Sequence, residues 1–145
     1  MPAPLSKTAA TAWARLMRAQ QGSIAGVEET LRRAGFPALV WYDVLLELER
    51  PPGDGLRQRD IQRHTLLKRY NVSRIVERLE TDGLIVRTPC EDDARGAVIR
   101  ITKKGRELRR AMWPVYAAAI KESFARHYSE EEMATLAELL GPIAK

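Results

Sequence analysis

LRQRDIQRHTLLKRYNVSRIVERLETDGLIVRTPCEDDARGAVIRITKKG, Leu56 to Gly105, decides the fold of this 145-residue chain. The spacing predicts a short helix over about 57–64, with Leu56 and Ile61 apolar and Arg57, Arg59 and Arg63 outward. It predicts a second helix over about 69–82, on which Val72, Ile75, Val76 and Leu79 form a narrow apolar face. Asp82-Gly83 ends that helix, because glycine takes up the left-handed backbone that a helix stop requires. Leu84–Thr88 and Ala97–Thr102 read as two strands around a polar tip that ends at Gly96. Helix, turn, helix and ribbon in that order suit duplex DNA, with one helix in the major groove and the ribbon along the backbone. Charge agrees with this placement. The stretch holds 12 Lys/Arg against 7 Asp/Glu, a net of +5, while the remaining residues hold 12 of each sign, so the chain's whole formal charge of +5 lies here.

Working outward, residues 7–34 read as a helix with Trp13, Leu16, Gln20, Ile24, Val27 and Leu31 on one stripe and Ser6 as its cap. Residues 38–50 form a strongly apolar helix bounded by Gly35-Phe36-Pro37 and by Pro51-Pro52-Gly53. Thr102 opens a long helix to about His127, which Pro114 should kink or split. Ser129 and Glu132 have capping-box spacing for a last helix over about 130–140. The expected fold is mainly α with a small β part (α+β): a winged helix-turn-helix unit at 36–102, flanked by helices at 7–34 and 103–143. The flanking helices carry more apolar face than so small a core can cover, so a second copy should cover the surplus in a two-fold dimer.

The bulk numbers narrow the function. With 45% hydrophobic and 30% charged residues the chain can bury a core. A pI near 9.7 favours a polyanionic partner. No run of about 18 apolar residues is present, so no membrane span is expected, and the N-terminus lacks a secretory pattern. One cysteine, Cys90, allows no internal disulfide, and with His64 and His127 it makes no plausible metal set. These features point to a cytoplasmic protein without metal or cofactor. No catalytic constellation stands out, so no enzymatic activity is expected.

VSRIVERLETDGLIVR, Val72–Arg87, followed by EDDARGAVIRITKKG, Glu91–Gly105, resembles the MarR family of winged helix-turn-helix regulators. The shared pieces are Leu-x-x-x-Gly-Leu at Leu79–Leu84, Asp-x-Arg-Gly at Asp93–Gly96 and Thr-x-x-Gly at Thr102–Gly105. The resemblance covers nearly the whole chain as a single domain over 1–145, with 7–34 and 103–143 as its dimerisation helices. It implies a sequence-specific transcriptional regulator, usually a repressor. It also implies a homodimer on a palindromic double-stranded operator, released by a small aromatic or anionic effector lodged near the dimerisation helices.

The second helix should turn Tyr70, Asn71, Ser73, Arg74 and Arg78 toward DNA, while Lys68 and Arg69 hold phosphates. Arg74 is the strongest candidate for a base contact, because guanidinium pairs bidentately with guanine O6 and N7. Arg78 has an alternative in pairing with Glu77, Glu80 or Asp82. Arg95 at the wing tip should grip the adjacent minor groove, with Asp93 holding it in place. Arg87 and Arg100 are either backbone contacts or surface charge. Trp13, Arg15, Trp41, Tyr42, Trp113 and Tyr116 are candidates for an effector pocket, against the alternative that the aromatics are core. Two further readings stay open: a winged-helix module for protein partners, and a redox sensor at Cys90, whose acidic neighbours disfavour a thiolate.

Replacing Arg74 or Arg95 by alanine is expected to weaken operator binding by about 1–3 kcal/mol each. Arg74→Ala should also relax base preference, whereas Arg95→Ala should mainly lower affinity. Quantitative duplex titration with each variant checks both, and wild-type binding in the two would refute the assignment.

Overall fold

A computed structural model describes residues 1–65, 69–90 and 93–144; for residues 69, 70, 90 and 93–95 it describes the backbone alone. The element order is α1 (Lys7–Arg33), α2 (Leu39–Glu49), α3 (Gln58–His64), α4 (Arg69–Thr81), β1 (Ile85–Cys90), β2 (Asp93–Ile101), α5 (Lys103–Ser123), a 3₁₀ turn (Ala125–His127) and α6 (Glu130–Leu140). In chain order, helices thus surround one two-stranded antiparallel ribbon, as a winged helix-turn-helix requires. The chain forms two compact units, Gly35–Pro114 and a second made of Met1–Ala34 with Val115–Lys145.

In the first unit, the apolar faces of α2, α3 and α4 meet one side of the hairpin. Val44, Leu45 and Leu48 from α2, Ile61 from α3, and Val72, Val76 and Leu79 from α4 are buried with Leu84, Ile85 and Ile99. Each fully buried aliphatic side chain contributes about 1.5–3 kcal/mol relative to exposure, so this cluster dominates the unit's cohesion. α3 starts where Asp60 Oδ2 accepts the Arg57 backbone N–H at 3.2 Å, which satisfies a donor the helix leaves unused.

The hairpin is longer than the sequence pattern suggests. β1 and β2 pair antiparallel from Ile85↔Ile101 to Pro89↔Ala97, and a register shift after Pro89 leads to Cys90↔Asp93. The ladder thus continues through residues whose polar side chains read as turn, because backbone pairing does not depend on them. The sheet also gains a rung from Leu56, whose N–H donates to Ile99 O at 2.9 Å and whose carbonyl accepts from Ile99 N at 2.8 Å. Gly55 makes this approach feasible. Its φ is +98°, and a Cβ there would lie 2.5 Å from Val98 Cγ1.

The end of α4 is a Schellman stop. Leu84 N–H donates to Leu79 O at 2.9 Å and Gly83 N–H to Glu80 O at 3.0 Å, with Gly83 at φ +76°. Leu79 and Leu84, both buried, supply the hydrophobic contact that accompanies such a stop. Thr102 then fastens the stop to the start of α5. Its hydroxyl donates to Gly83 O at 2.7 Å and accepts from Gly105 N–H at 3.1 Å, while its own N–H donates to Leu84 O at 3.0 Å. Gly105 packs so closely that a Cβ would sit 2.2 Å from Leu84 O.

In the second unit, Ser6 Oγ accepts from Ala9 N–H at 3.0 Å to cap α1. Ser129 and Glu132 form the expected capping box at the start of α6. Gly26 on α1 lies so near Ser123 that a Cβ would stand 2.5 Å from its Oγ. The buried residues described here are Val27, Leu31 and Ala119, and α6 buries none. Pro114 does not split its helix, because α5 continues through it to Ser123, and a 3₁₀ turn takes up residues 125–127.

Gly105→Ala is expected to destabilise the protein by about 1–3 kcal/mol through overpacking against backbone. Gly22→Ala, on an exposed stretch of α1 with nothing within 4 Å of the added methyl, should stabilise it by about 0.5–1 kcal/mol. Chemical denaturation of the two variants checks the opposite signs.

Candidate nucleic-acid interface

Three elements of the Gly35–Pro114 unit shape this surface. α4 presents one buried face, with Val72, Val76 and Leu79, and one exposed face, with Ser73, Arg74, Glu77, Arg78 and Glu80; Asn71 is half-buried. Thus Ser73, Arg74 and Arg78 stand on the solvent side of the helix. Lys68 lies outside the described residues, as do the side chains of Arg69, Tyr70, Asp93 and Arg95. The backbones of Asp93 and Arg95 belong to β2.

Two contacts flank α4. The Arg78 guanidinium carbon lies 5.9 Å from the centre of the Trp41 ring, a cation–π arrangement with α2. None of the carboxylates considered as its partners is needed to explain this pose. On the other flank, Arg87 of β1 donates from Nε at 3.2 Å and Nη2 at 3.0 Å to Glu80 Oε1. Both groups are partly exposed, so the pair contributes modestly to stability, on the order of 1 kcal/mol or less. Its geometric effect is to tie the ribbon to the helix. Arg100 on β2 donates to Thr88 Oγ1 across the strands at 2.7 Å. The sequence offered no partner for Arg87 or Arg100, because the first contact depends on how β1 runs back past α4 and the second on the ribbon's register.

The six aromatic and basic residues considered for an effector fall on both units. Tyr42 is buried and its ring stacks on Trp113, with centroids 6.1 Å apart and planes 20° from parallel. Arg109 lies over the same tyrosine and pairs with Glu49. Burial works against the Arg109 charge, but hydrogen bonds to Glu49 and Tyr42 outweigh it, and its pKa lies above the ordinary guanidinium value. Trp41 packs on the core and borders a cleft of about 810 Å³ with Phe36, Leu84, Lys104 and Leu108. Trp13, Arg15 and Tyr116 line an open groove of about 790 Å³ within the other unit, with Leu16, Ile24 and Leu136. Among the described residues, no group of His, Cys, Asp and Glu could hold a metal ion, and no helix is long and apolar enough to cross a membrane.

Residues 34–96, which hold α2 to most of the ribbon, match the model of the MarR family. The whole fold superposes on AbsC, a MarR family transcriptional regulator from Streptomyces coelicolor, with a TM-score of 0.85 and 26% identity over 99% of this chain and 96% of AbsC. Residues 34–96 thus resemble the MarR family, and the whole chain has the fold of its solved members. Sco3205, a MarR family transcriptional regulator from the same organism whose structure is in complex with DNA, superposes with a TM-score of 0.88 and 24% identity over 99% of this chain and 90% of that one. The transcriptional activatory protein BadR of Rhodopseudomonas palustris is 33% identical over 77 residues, which are 52% of this chain and 42% of BadR, so the match spans less than half of BadR's length. Within the MarR frame, α3 and α4 are the helix-turn-helix and the β1–β2 ribbon is the wing.

Arg78→Ala is expected to cost about 0.5–1 kcal/mol by removing the cation from the Trp41 face, and Arg78→Lys should restore only part, because lysine lacks the planar guanidinium. Urea denaturation checks this; unchanged stability in Arg78→Ala would show the contact to be energetically idle.

Proposed function

We propose that this chain is a MarR-family, sequence-specific DNA-binding transcriptional regulator that works as a homodimer on a two-fold operator. The observation that carries the DNA reading is the exposed, arginine-bearing face of α4 beside a wing tied to it through Glu80 and Arg87. The N-terminal turn of a recognition helix directs backbone N–H groups and a positive dipole end toward phosphate. In this reading Arg74 makes the base contact, Asn71 and Ser73 support it, and Arg69, Lys68, Tyr70 and the Asp93-braced Arg95 secure the backbone and minor groove.

The dimer reading rests on the Met1–Ala34 and Val115–Lys145 unit. Trp13, Ile24, Leu139 and Ile143 are exposed there, at 63%, 41%, 71% and 71% of their full area. Leaving that much apolar surface in water is unfavourable, and a second copy of the same unit covers it with matching chemistry. Two recognition helices about 34 Å apart then meet successive major grooves. Trp13, Arg15 and Tyr116 line the same groove, so a small aromatic or anionic effector seated there would act on how the copies meet. It would release the operator by its differential affinity for the two arrangements. Occupying a promoter in this way represses; occupying a site upstream of one activates.

Two measurements test the proposal. Equilibrium sedimentation should give a dimer, which Ile24→Glu converts to monomer. Duplex affinity of the dimer should fall steeply with salt, because each phosphate contact releases counterions. A monomeric wild type, or a flat salt dependence, would overturn it and favour a module for protein partners.

A further inference from the structure

The two flank contacts of α4 fix which way its remaining side chains point. At about 100° per residue, Val72, Val76 and Leu79 centre on the buried side. Glu80, held by Arg87, and Arg78, resting on Trp41, lie about 160° apart around the helix, on opposite flanks. The arc between them, away from the core, holds Ser73, Glu77, Thr81 and Arg74, all exposed, and Arg74 and Glu77 are the charged members among them. Arg74 has Arg78 about 40° to one side and Glu77 about 60° to the other; Arg78 rests on Trp41, so the charged neighbour that α2 does not hold is an acid.

A carboxylate in this place is chemically informative. A helix inserted in a major groove carries its outward ridge toward the base edges, between two lines of phosphates. A negative group there is repelled by every duplex, unless a base offers it a hydrogen-bond donor. In the major groove cytosine and adenine each offer an amine, but adenine's N6 stands beside the N7 acceptor, which repels a carboxylate, so cytosine N4 is the donor that glutamate and aspartate accept. Arg74 and Glu77 are three residues apart, about 4.5 Å along the helix axis, close to the ~3.4 Å rise of one base-pair step. With α4 laid along the groove, the two side chains are spaced to reach neighbouring base pairs.

We propose that Glu77 is a specificity-determining residue, whose carboxylate accepts the N4 amine of a cytosine next to the guanine read by Arg74. This rests on the regulator reading above and deepens it. Glu77 contributes less through attraction than through exclusion, because sequences without the amine face an unpaired, desolvated charge. Its removal should therefore act in the opposite sense to removal of a phosphate-binding arginine.

Selection of binding sites from randomised duplexes, with wild type, Arg74→Ala, Glu77→Ala and Glu77→Gln compared at one salt concentration, tests this. The wild type should enrich a site with a cytosine beside the guanine whose preference Arg74→Ala loses. Glu77→Ala should keep the rest of the site, lose the cytosine preference and bind unrelated duplex several-fold more tightly. Its ratio of specific to non-specific affinity should fall roughly ten-fold, within the range of one good base contact. Glu77→Gln should shift the preference toward adenine, which the glutamine amide pairs bidentately. Wild-type base preference at every position in Glu77→Ala, with unchanged thermal unfolding, would overturn the role of Glu77 and leave the regulator reading standing. No enrichment by the wild type would overturn both.

Discussion

Gly105 and the carbonyl of Leu84 approach so closely that any side chain at position 105 forces backbone apart. The rest of the Gly35–Pro114 unit depends on this contact. It allows Thr102 to reach the last turn of α4, where one hydroxyl serves both Gly83 O and Gly105 N–H. The end of α4, the return strand of the wing and the start of α5 thereby share one hydrogen-bonded junction. Lys104 adds to it by donating to Asp82 O at 2.7 Å. Two of the three short sequence pieces that resemble the family, Leu79–Leu84 and Thr102–Gly105, are the two halves of this junction. Each has a local reason, a helix stop and a helix cap, but their joint meaning lies in the contact between them.

Much of this was legible in the sequence because it is local. Ser6, Ser129 with Glu132, and Gly83 mark helix ends through bonds that span five residues or fewer, and such bonds need no knowledge of the fold. The apolar set of α4 was also readable, since helical period alone places Val72, Val76 and Leu79 on one side. What escaped was long-range. The rung between Leu56 and Ile99 joins residues more than forty positions apart and carries no compositional signal except Gly55. The wing's extra length is a matter of backbone pairing, to which the polar residues near its tip are indifferent. Pro114 was expected to kink or split α5, and the helix is not split but runs through it to Ser123; propensity describes an isolated helix, and the surrounding structure decides otherwise.

The candidate site divides along the same line. That Arg74 stands exposed on α4 follows from periodicity. That Arg78 is turned aside does not, because the reason is Trp41 on α2, a residue with its own plausible place in an effector pocket. Tyr42 and Trp113 likewise satisfy each other, and Arg109 with Glu49 closes over the tyrosine. Aromatic residues alone could not say which of them pack internally. The partition that emerges, Trp41, Tyr42 and Trp113 in the winged unit and Trp13 and Tyr116 on the open groove of the other, sorts them by surroundings instead of by type.

The contacts on the two sides of α4 have a consequence for how such a protein changes its target over time. Trp41 and Arg87 restrain the roll of the helix through side chains that do not lie on its outward ridge. Orientation and vocabulary are therefore assigned to different positions. On the proposed reading, substitutions at 74 and 77 rewrite which letters are recognised while the scaffold that aims them stays intact, so a duplicated copy could acquire a new address through very few changes.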